Sequence, residues 1–330
     1  MPRNNYVDLL KTIAIFGVVW IHGCWLLGGT PLLREFVSDI FRFAVPAFVV
    51  TWAYFFELGI QRRRERLVPY ATARFKHLFV VFTFWSVIYF ALNADWNNLT
   101  LLSSVTKHWS ETGWSGQYFS IVLFQLVLIF PFLSYMFNHP VLRSIALVFC
   151  LMVYGWVGYF EWSVPPVILK FGYRPFVYWI PHVFLAIYLT RTESKPISFL
   201  AVCMLLIIPL ESYFLKGNGM THLPYVTTGI LISSLIATVP FLTQHSREQP
   251  KAAQSFISFV GGNTMTVFVV NPLVIMLLNK IALQEKTSRF IMHGVLFDCA
   301  LPFVSTCLVL LLSLSIATII NKTPFKGVVN

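Results

Sequence analysis

Apolar residues run through this chain in blocks of about twenty, the length a helix needs to cross the hydrocarbon of a bilayer, separated by short polar or basic stretches. Ten blocks read as membrane spans, covering residues 6–28, 36–59, 71–92, 117–137, 141–160, 173–190, 196–214, 223–243, 256–279 and 294–320. The sixth and seventh are short or weakly apolar, so eight or nine crossings also fit. Pro46, Pro131, Pro181, Pro209, Pro240, Pro272 and Pro302 interrupt several blocks. Membrane bundles tolerate such prolines because neighbouring helices re-satisfy the freed backbone groups. The pattern predicts an all-α polytopic membrane helix bundle of about ten transmembrane helices. It forms a single domain over residues 1–330, since the spacing of the blocks leaves no room for a separate soluble unit. The first block has no small-residue cleavage pattern and carries Asp8 and Lys11, so it is expected to stay in the membrane.

Composition agrees: 57% hydrophobic and 11% charged residues, with mean hydropathy +0.72, exclude an ordinary soluble domain. The charged residues add an orientation. Arg62, Arg63, Arg64, Arg66, Arg74 and Lys76, then Arg143, Arg191 with Lys195, Arg247 with Lys251, and Lys322 with Lys326 fall on every second connection. By the positive-inside rule these connections and both termini are cytoplasmic. The net charge of +11 therefore predicts anionic membrane lipids as partners and no nucleic acid. Cys24, Cys150, Cys203, Cys299 and Cys307 lie in apolar blocks without paired spacing and read as small hydrophobes.

Candidate chemistry concentrates in the first block, where Asp8, Lys11 and His22 interrupt apolar sequence. Ionisable groups at membrane depth are costly and mark functional sites by default, although one near a helix end can snorkel to the interface. Eleven residues separate Lys11 from His22, which puts both on one helix face about 16 Å apart. His182 is a second histidine in apolar sequence, readable as a site residue or as a hydrogen-bonded bundle residue. The cluster Arg62, Arg63, Arg64 and Arg66 fits a membrane anchor and equally a phosphate-binding mouth. Residues 93–116 carry Trp96, Trp109 and Trp114, interface anchors or a stacking lid over a sugar. Asn98-Leu99-Thr100 fits a glycosylation acceptor. Glu57, Glu161 and Glu211 lie near span ends, and Glu211 is placed to pair inside the bundle. No HExxH, GxSxG, phosphate loop or dinucleotide fingerprint occurs, so no metal and no serine hydrolase is expected.

The opening YVDLLKTIAIFGVVWIH resembles the start of the integral-membrane acyltransferase family, acyltransferase type 3. The likeness continues through VPAFVVTWAYFF with RRRERLVPY, GQYFSIVLFQLVLIFPFL and GGNTMTVFVVNPLVIMLL. The basic residue eleven positions before the histidine is usually arginine in that family and here is Lys11. Where relatives commonly carry a tyrosine-x-x-histidine-proline run, this chain has Phe268-Val269-Val270-Asn271-Pro272. The resemblance implies a multi-pass protein of the cell membrane, the inner membrane in a bacterium. It implies transfer of an acyl group, usually acetyl, from acyl-CoA (acetyl-CoA in the usual case) to a hydroxyl of a cell-surface glycan or lipid-linked sugar. His22 would be the general base, with Lys11, Asp8 and Asn271 as further catalytic residues and Arg62, Arg63, Arg64 and Arg66 as donor-binding residues. A homo-oligomer is compatible with this. Two alternatives stay open: a non-catalytic sensor or scaffold derived from the family, and a transporter of a polar lipid-linked intermediate.

Overall fold

Helix α1 (Asn5–Gly23) has apolar residues on all sides, and a helix of that kind is stable only when surrounded. In the computed structural model, which describes residues 4–63, 67–94, 113–192, 199–217, 227–243, 251–281 and 295–324, α1 is the central strut of the bundle. Asn4 starts it by accepting the Tyr6 amide at 3.0 Å, and Val7, Leu10, Ala14, Ile15, Val18, Val19 and Trp20 are buried along it. Six helices pack on α1: α2 (Pro31–Phe41), α3 (Ala44–Arg62), α10 (Thr228–Thr243), α11 (Lys251–Gly262), α12 (Thr264–Lys280) and α13 (Val295–Asn321). Beyond them lie α4 (Leu67–Asn93), α5 (Gln117–Asn138), α6 (Pro140–Tyr159), α7 (Pro166–Phe171), α8 (Ile180–Arg191) and α9 (Ile207–Gly217), with 3₁₀ turns at Glu161–Ser163, Phe176–Trp179 and Phe199–Leu206. No strand occurs among the described residues.

Among the described residues six stretches are long and apolar enough to cross a bilayer: Asn5–Gly23, Pro31–Arg62, Leu67–Asn93, Gln117–Asn138, Pro140–Tyr159 and Asp298–Asn321. Leu128, Phe132, Val148 and Leu311 stand exposed on α5, α6 and α13, as side chains facing acyl tails do and side chains facing water rarely do. The protein is a multi-pass membrane protein. The block read over 256–279 is divided: Ser255–Gly262 and Thr264–Lys280 meet at 70°. Gly261 and Gly262 weaken the helix there, and Asn263 takes the carbonyl of Phe259 at 2.7 Å with its side-chain amide. The blocks over 173–190, 196–214 and 223–243 are built from shorter helical pieces, α8, α9 and α10 with their 3₁₀ turns.

We call the Asn5 end of α1 the lower end and the Gly23 end the upper end. Asn321, at the close of α13, donates to Asn263 Oδ1 at 2.6 Å, and the adjoining Gly261 lies against Asp8, so α13 finishes at the lower end where α1 begins. At the upper end Ser305 Oγ accepts the Leu27 amide at 3.1 Å and the Asp298 carbonyl accepts the Thr30 amide at 3.2 Å. Two polar clusters tie the outer helices together. Glu57, fully buried on α3, accepts Arg191 of α8 at 2.6 and 2.9 Å, and Arg191 also reaches Ser134 and Asn138 of α5. Glu211 of α9 caps α10: its carboxylate accepts the Gly229 amide at 3.0 Å and the hydroxyls of Thr227, Thr228 and Tyr159. Glu211 thus pairs inside the bundle, as its position near a span end suggested.

Candidate functional site

The last turn of α1 puts His22 in a cleft of about 600 Å³ at the upper end, with Ile21, Trp25, Ser115, Pro272, Ile275, Met276, Asn279 and Lys280 around it. Ser115 Oγ is 3.3 Å from both ring nitrogens, so a small ring rotation gives either one the hydrogen bond. The segment carrying Ser115 is held from behind. Trp114 stacks on Tyr89 of α4 with centroids 5.2 Å apart and donates its indole N–H to Ser86 at 3.4 Å. The Tyr89 hydroxyl donates to the Val269 carbonyl of α12 at 2.7 Å. α1, α4 and α12 therefore meet behind the His22–Ser115 pair.

A second pocket, of about 410 Å³, opens toward the lower end between α1, α3, α4, α5 and α12. Its walls are Phe48, Trp52, Phe55, Phe56, Tyr70, Phe119 and Phe268, and its ionisable lining residues are Lys11, Arg74 and His77. Among the described residues no carboxylate lines it. Lys11 Nζ lies 5.3 Å from the centre of the Phe55 ring and 3.8 Å from Asp8 Oδ1. Arg63 and Arg74 both approach the Tyr70 ring, at 5.3 and 5.4 Å from its centroid. Tyr70 reaches that place because Gly59 has no side chain: a Cβ there would fall 2.1 Å from the Tyr70 oxygen. On α3 the buried hydroxyl of Thr51 faces this pocket with no hydrogen-bond partner among the described residues.

One face of each of two helices, α1 and α12, lines both cavities. On α1 it carries Lys11 below and His22 above, and on α12 it carries Thr264, Met265 and Phe268 below and Pro272, Ile275, Met276 and Asn279 above. Running the other way, α5 carries Leu123 and Phe119 at the lower pocket, and Ser115, in the turn just before α5 begins, reaches the upper cleft. The four-residue steps 264, 268 and 272 are those that stack along one side of a helix.

The sequence-predicted site residues fall into three groups. His22 is in the upper cleft. Lys11 lines the lower pocket, and Asp8 stands beside it outside the lining, buried against Gly261, where a Cβ would lie 2.9 Å from Asp8 Cβ. Arg63 is at the same mouth through Tyr70, Arg62 is exposed at the end of α3, and Arg64 and Arg66 lie outside the described residues. Asn271 lines neither cavity. Its side-chain amide donates to the Phe268 carbonyl at 2.8 Å and the Val267 carbonyl at 3.0 Å. The Phe268 carbonyl would ordinarily accept from residue 272, which is proline and has no N–H, so Asn271 repairs the helix at its proline. His182 is buried on α8, away from both cavities, with Nε2 3.2 Å from Ser234 Oγ. Trp96, Trp109 and Asn98 lie outside the described residues; Trp114 is a buried prop.

Sequence reasoning passed over Ser115, Thr51, Arg74 and His77 as site residues. Tyr70, Arg74 and His77 follow the four-then-three spacing of a helix face, a signal that was present. A lone serine and a lone threonine carry no such signal.

These features define a class: a membrane-embedded helical protein with a histidine cleft at one end of its central helix and a basic, aromatic pocket at the other. The chain matches the acyltransferase domain over residues 4–322, and it belongs to that family, acyltransferase type 3. No curated protein and no solved structure matches the chain.

Proposed function

We propose that the protein is an acyl-CoA-dependent membrane O-acyltransferase that moves an acyl group, acetyl in the usual case, onto a hydroxyl of a cell-surface glycan or lipid-linked sugar. The observation that carries this is the pairing of the two cavities along α1 and α12, with Lys11 and Arg74 at the lower one and His22 beside Ser115 at the upper one. In this reading the lower end is cytoplasmic, which suits the excess of basic residues there, and ten crossings bring both termini to that side. The phosphate-bearing part of the donor lies against Arg63, Arg74 and Lys11, where guanidinium groups suit phosphate oxygens. Thr51 offers its unpaired hydroxyl to an amide of the pantetheine arm. That arm has a length of the same order as the separation of Lys11 and His22, about 16 Å.

In the upper cleft His22 takes the proton of the acceptor hydroxyl as that oxygen attacks the thioester carbonyl carbon. The carbon–oxygen bond forms, the carbon–sulfur bond breaks, and the proton passes from His22 to the departing sulfur. Ser115 orients the imidazole, and Asn279 and Lys280 are the polar groups an acceptor meets. Asp8 holds Lys11, and Asn271 acts through the shape of α12. Anionic lipids surround the basic end. A non-catalytic descendant of the family is the second reading, favoured by Asn271, whose amide serves its own helix.

With labelled acetyl-CoA and membranes containing the natural acceptor, His22→Ala should abolish transfer while the purified protein still binds acetyl-CoA. Near-normal turnover would remove the base assignment. Arg63→Gln with Arg74→Gln should weaken acetyl-CoA binding about tenfold or more. Unchanged binding would return the arginines to a purely anchoring role.

A further inference from the structure

Above the His22 ring the upper cleft presents a charge that the transfer chemistry does not use. Lys280, in the last turn of α12, lines it, and among the described residues no carboxylate does. The Lys280 side chain is exposed and pairs with no described carboxylate, whereas Lys11 lies 3.8 Å from Asp8 and Lys216 lies 3.2 Å from Glu35. In the orientation proposed above this end faces away from the cytoplasm, the side on which a lysine does not serve as a positive-inside anchor. A cation in a cleft whose wall holds no opposing charge raises the local concentration of anions.

Helix α12 sets how far that charge stands from the reaction. Ile275 is level with the end of α1, since a Cβ on Gly23 would lie 3.6 Å from Ile275 Cδ1. Lys280 comes five residues later in the chain, about 7–8 Å further along the helix axis. Its neighbour Asn279 is also exposed and also lines the cleft. Trp25, in the turn that follows α1, is another lining residue and is 38% exposed, so part of an indole face is free to meet the apolar C–H face of a sugar ring.

We infer that the acceptor is an anionic sugar and that Lys280 is the specificity-determining residue for its charge, holding a carboxylate or a phosphate while Trp25 stacks on the ring. The inference rests on the acyltransferase reading above. The rise from His22 to Lys280 is about the breadth of one hexose with its exocyclic group, so the hydroxyl at His22 and the anion at Lys280 belong to one ring or to neighbouring rings. A neutral sugar would leave the ammonium to water, and an acceptor of the same shape that carries the anion gains a charge-assisted hydrogen bond.

The test uses the full-length protein in lipid nanodiscs with labelled acetyl-CoA and three acceptors in the gluco and galacto series: the methyl glycoside, the methyl uronide and the methyl glycoside 6-phosphate. The uronide and the phosphate distinguish the two sources of charge. In the wild type kcat/KM for at least one charged acceptor should exceed that for the neutral glycoside by about tenfold or more, the scale of one hydrogen bond to a charged group. Lys280→Gln should bring that ratio down to within about threefold of unity and Lys280→Arg should keep it, with acetyl-CoA affinity within about threefold of wild type in both. Trp25→Ala should lower kcat/KM for charged and neutral acceptors alike and leave the ratio in place. Equal use of charged and neutral sugars by the wild type, or a preference that survives Lys280→Gln, would overturn the inference and leave acyl transfer standing. Acetyl-CoA bound with no acetyl moved to any of the sugars would overturn this acceptor class, and failure to bind acetyl-CoA would overturn the transfer reading and the inference with it.

Discussion

At the scale of single residues, Asn271 and Ser115 show how differently two polar side chains near a site can work. Asn271 supplies a donor that Pro272 takes out of α12. Asn271→Leu should leave the buried Phe268 carbonyl unpaired and cost about 1–3 kcal/mol, read as a lower thermal midpoint. Ser115 instead sits against the His22 ring, so Ser115→Ala should leave stability alone and lower the rate of transfer by about three- to tenfold with KM unchanged, the scale of one neutral hydrogen bond. A change in KM of the same size would show that Ser115 meets the acceptor instead. Asp8, Lys11 and His22 stand out in the sequence because ionisable groups are rare in apolar stretches and so announce themselves. The function of Asn271 does not, because it depends on a carbonyl orphaned by the neighbouring proline, a fact of hydrogen-bond continuity that residue type does not display.

The elements repeat that contrast. α1, α4, α5 and α6 were readable in outline because each is a long unbroken apolar run bounded by polar residues or proline. The run over 256–279 hid a 70° corner, since apolar counting does not register that two glycines and an asparagine end one helix and begin another. The same blindness merged the short pieces between 173 and 243 into whole spans. The corner has a mechanical purpose: it brings Gly261 flat against Asp8 while Thr264 and Met265 face the lower pocket. Gly261→Ala should push α11 away from α1, because its methyl would meet Asp8 Cβ at 2.9 Å and the Asp8 carbonyl at 3.0 Å. We expect a loss of about 1–3 kcal/mol, seen as earlier thermal unfolding, together with weaker donor binding as Asp8 and Lys11 shift.

For the whole molecule, the ion pair between buried Glu57 and part-exposed Arg191 joins α3 to α8, and through Ser134 and Asn138 to α5. Arg191→Met should be strongly destabilising, by about 3–5 kcal/mol, because it strands an uncompensated carboxylate, and adding Glu57→Gln should recover much of the loss. A double variant no more stable than the single one would mean that Arg191 acts through α5 alone. The pair was half legible: Glu57 stood out near a span end, but its partner lies 134 residues away in a segment whose helices are short.

Because α1 is the rod along which the lower pocket and the upper cleft are phased, its length between Lys11 and His22 is under a stricter constraint than its composition. One alanine inserted midway would keep hydropathy and helix propensity intact, yet would turn every residue above it by about 100° and lift it about 1.5 Å relative to those below. His22 would then face away from Ser115 while Lys11 kept its place beside Phe55. Such an insertion should yield a folded protein that binds acetyl-CoA and transfers nothing, and four inserted residues, a little over one full turn, should do less harm to the facing than one. Substitutions can therefore accumulate along α1, while a change of a single codon in length between these two residues would separate the ends of the path from each other.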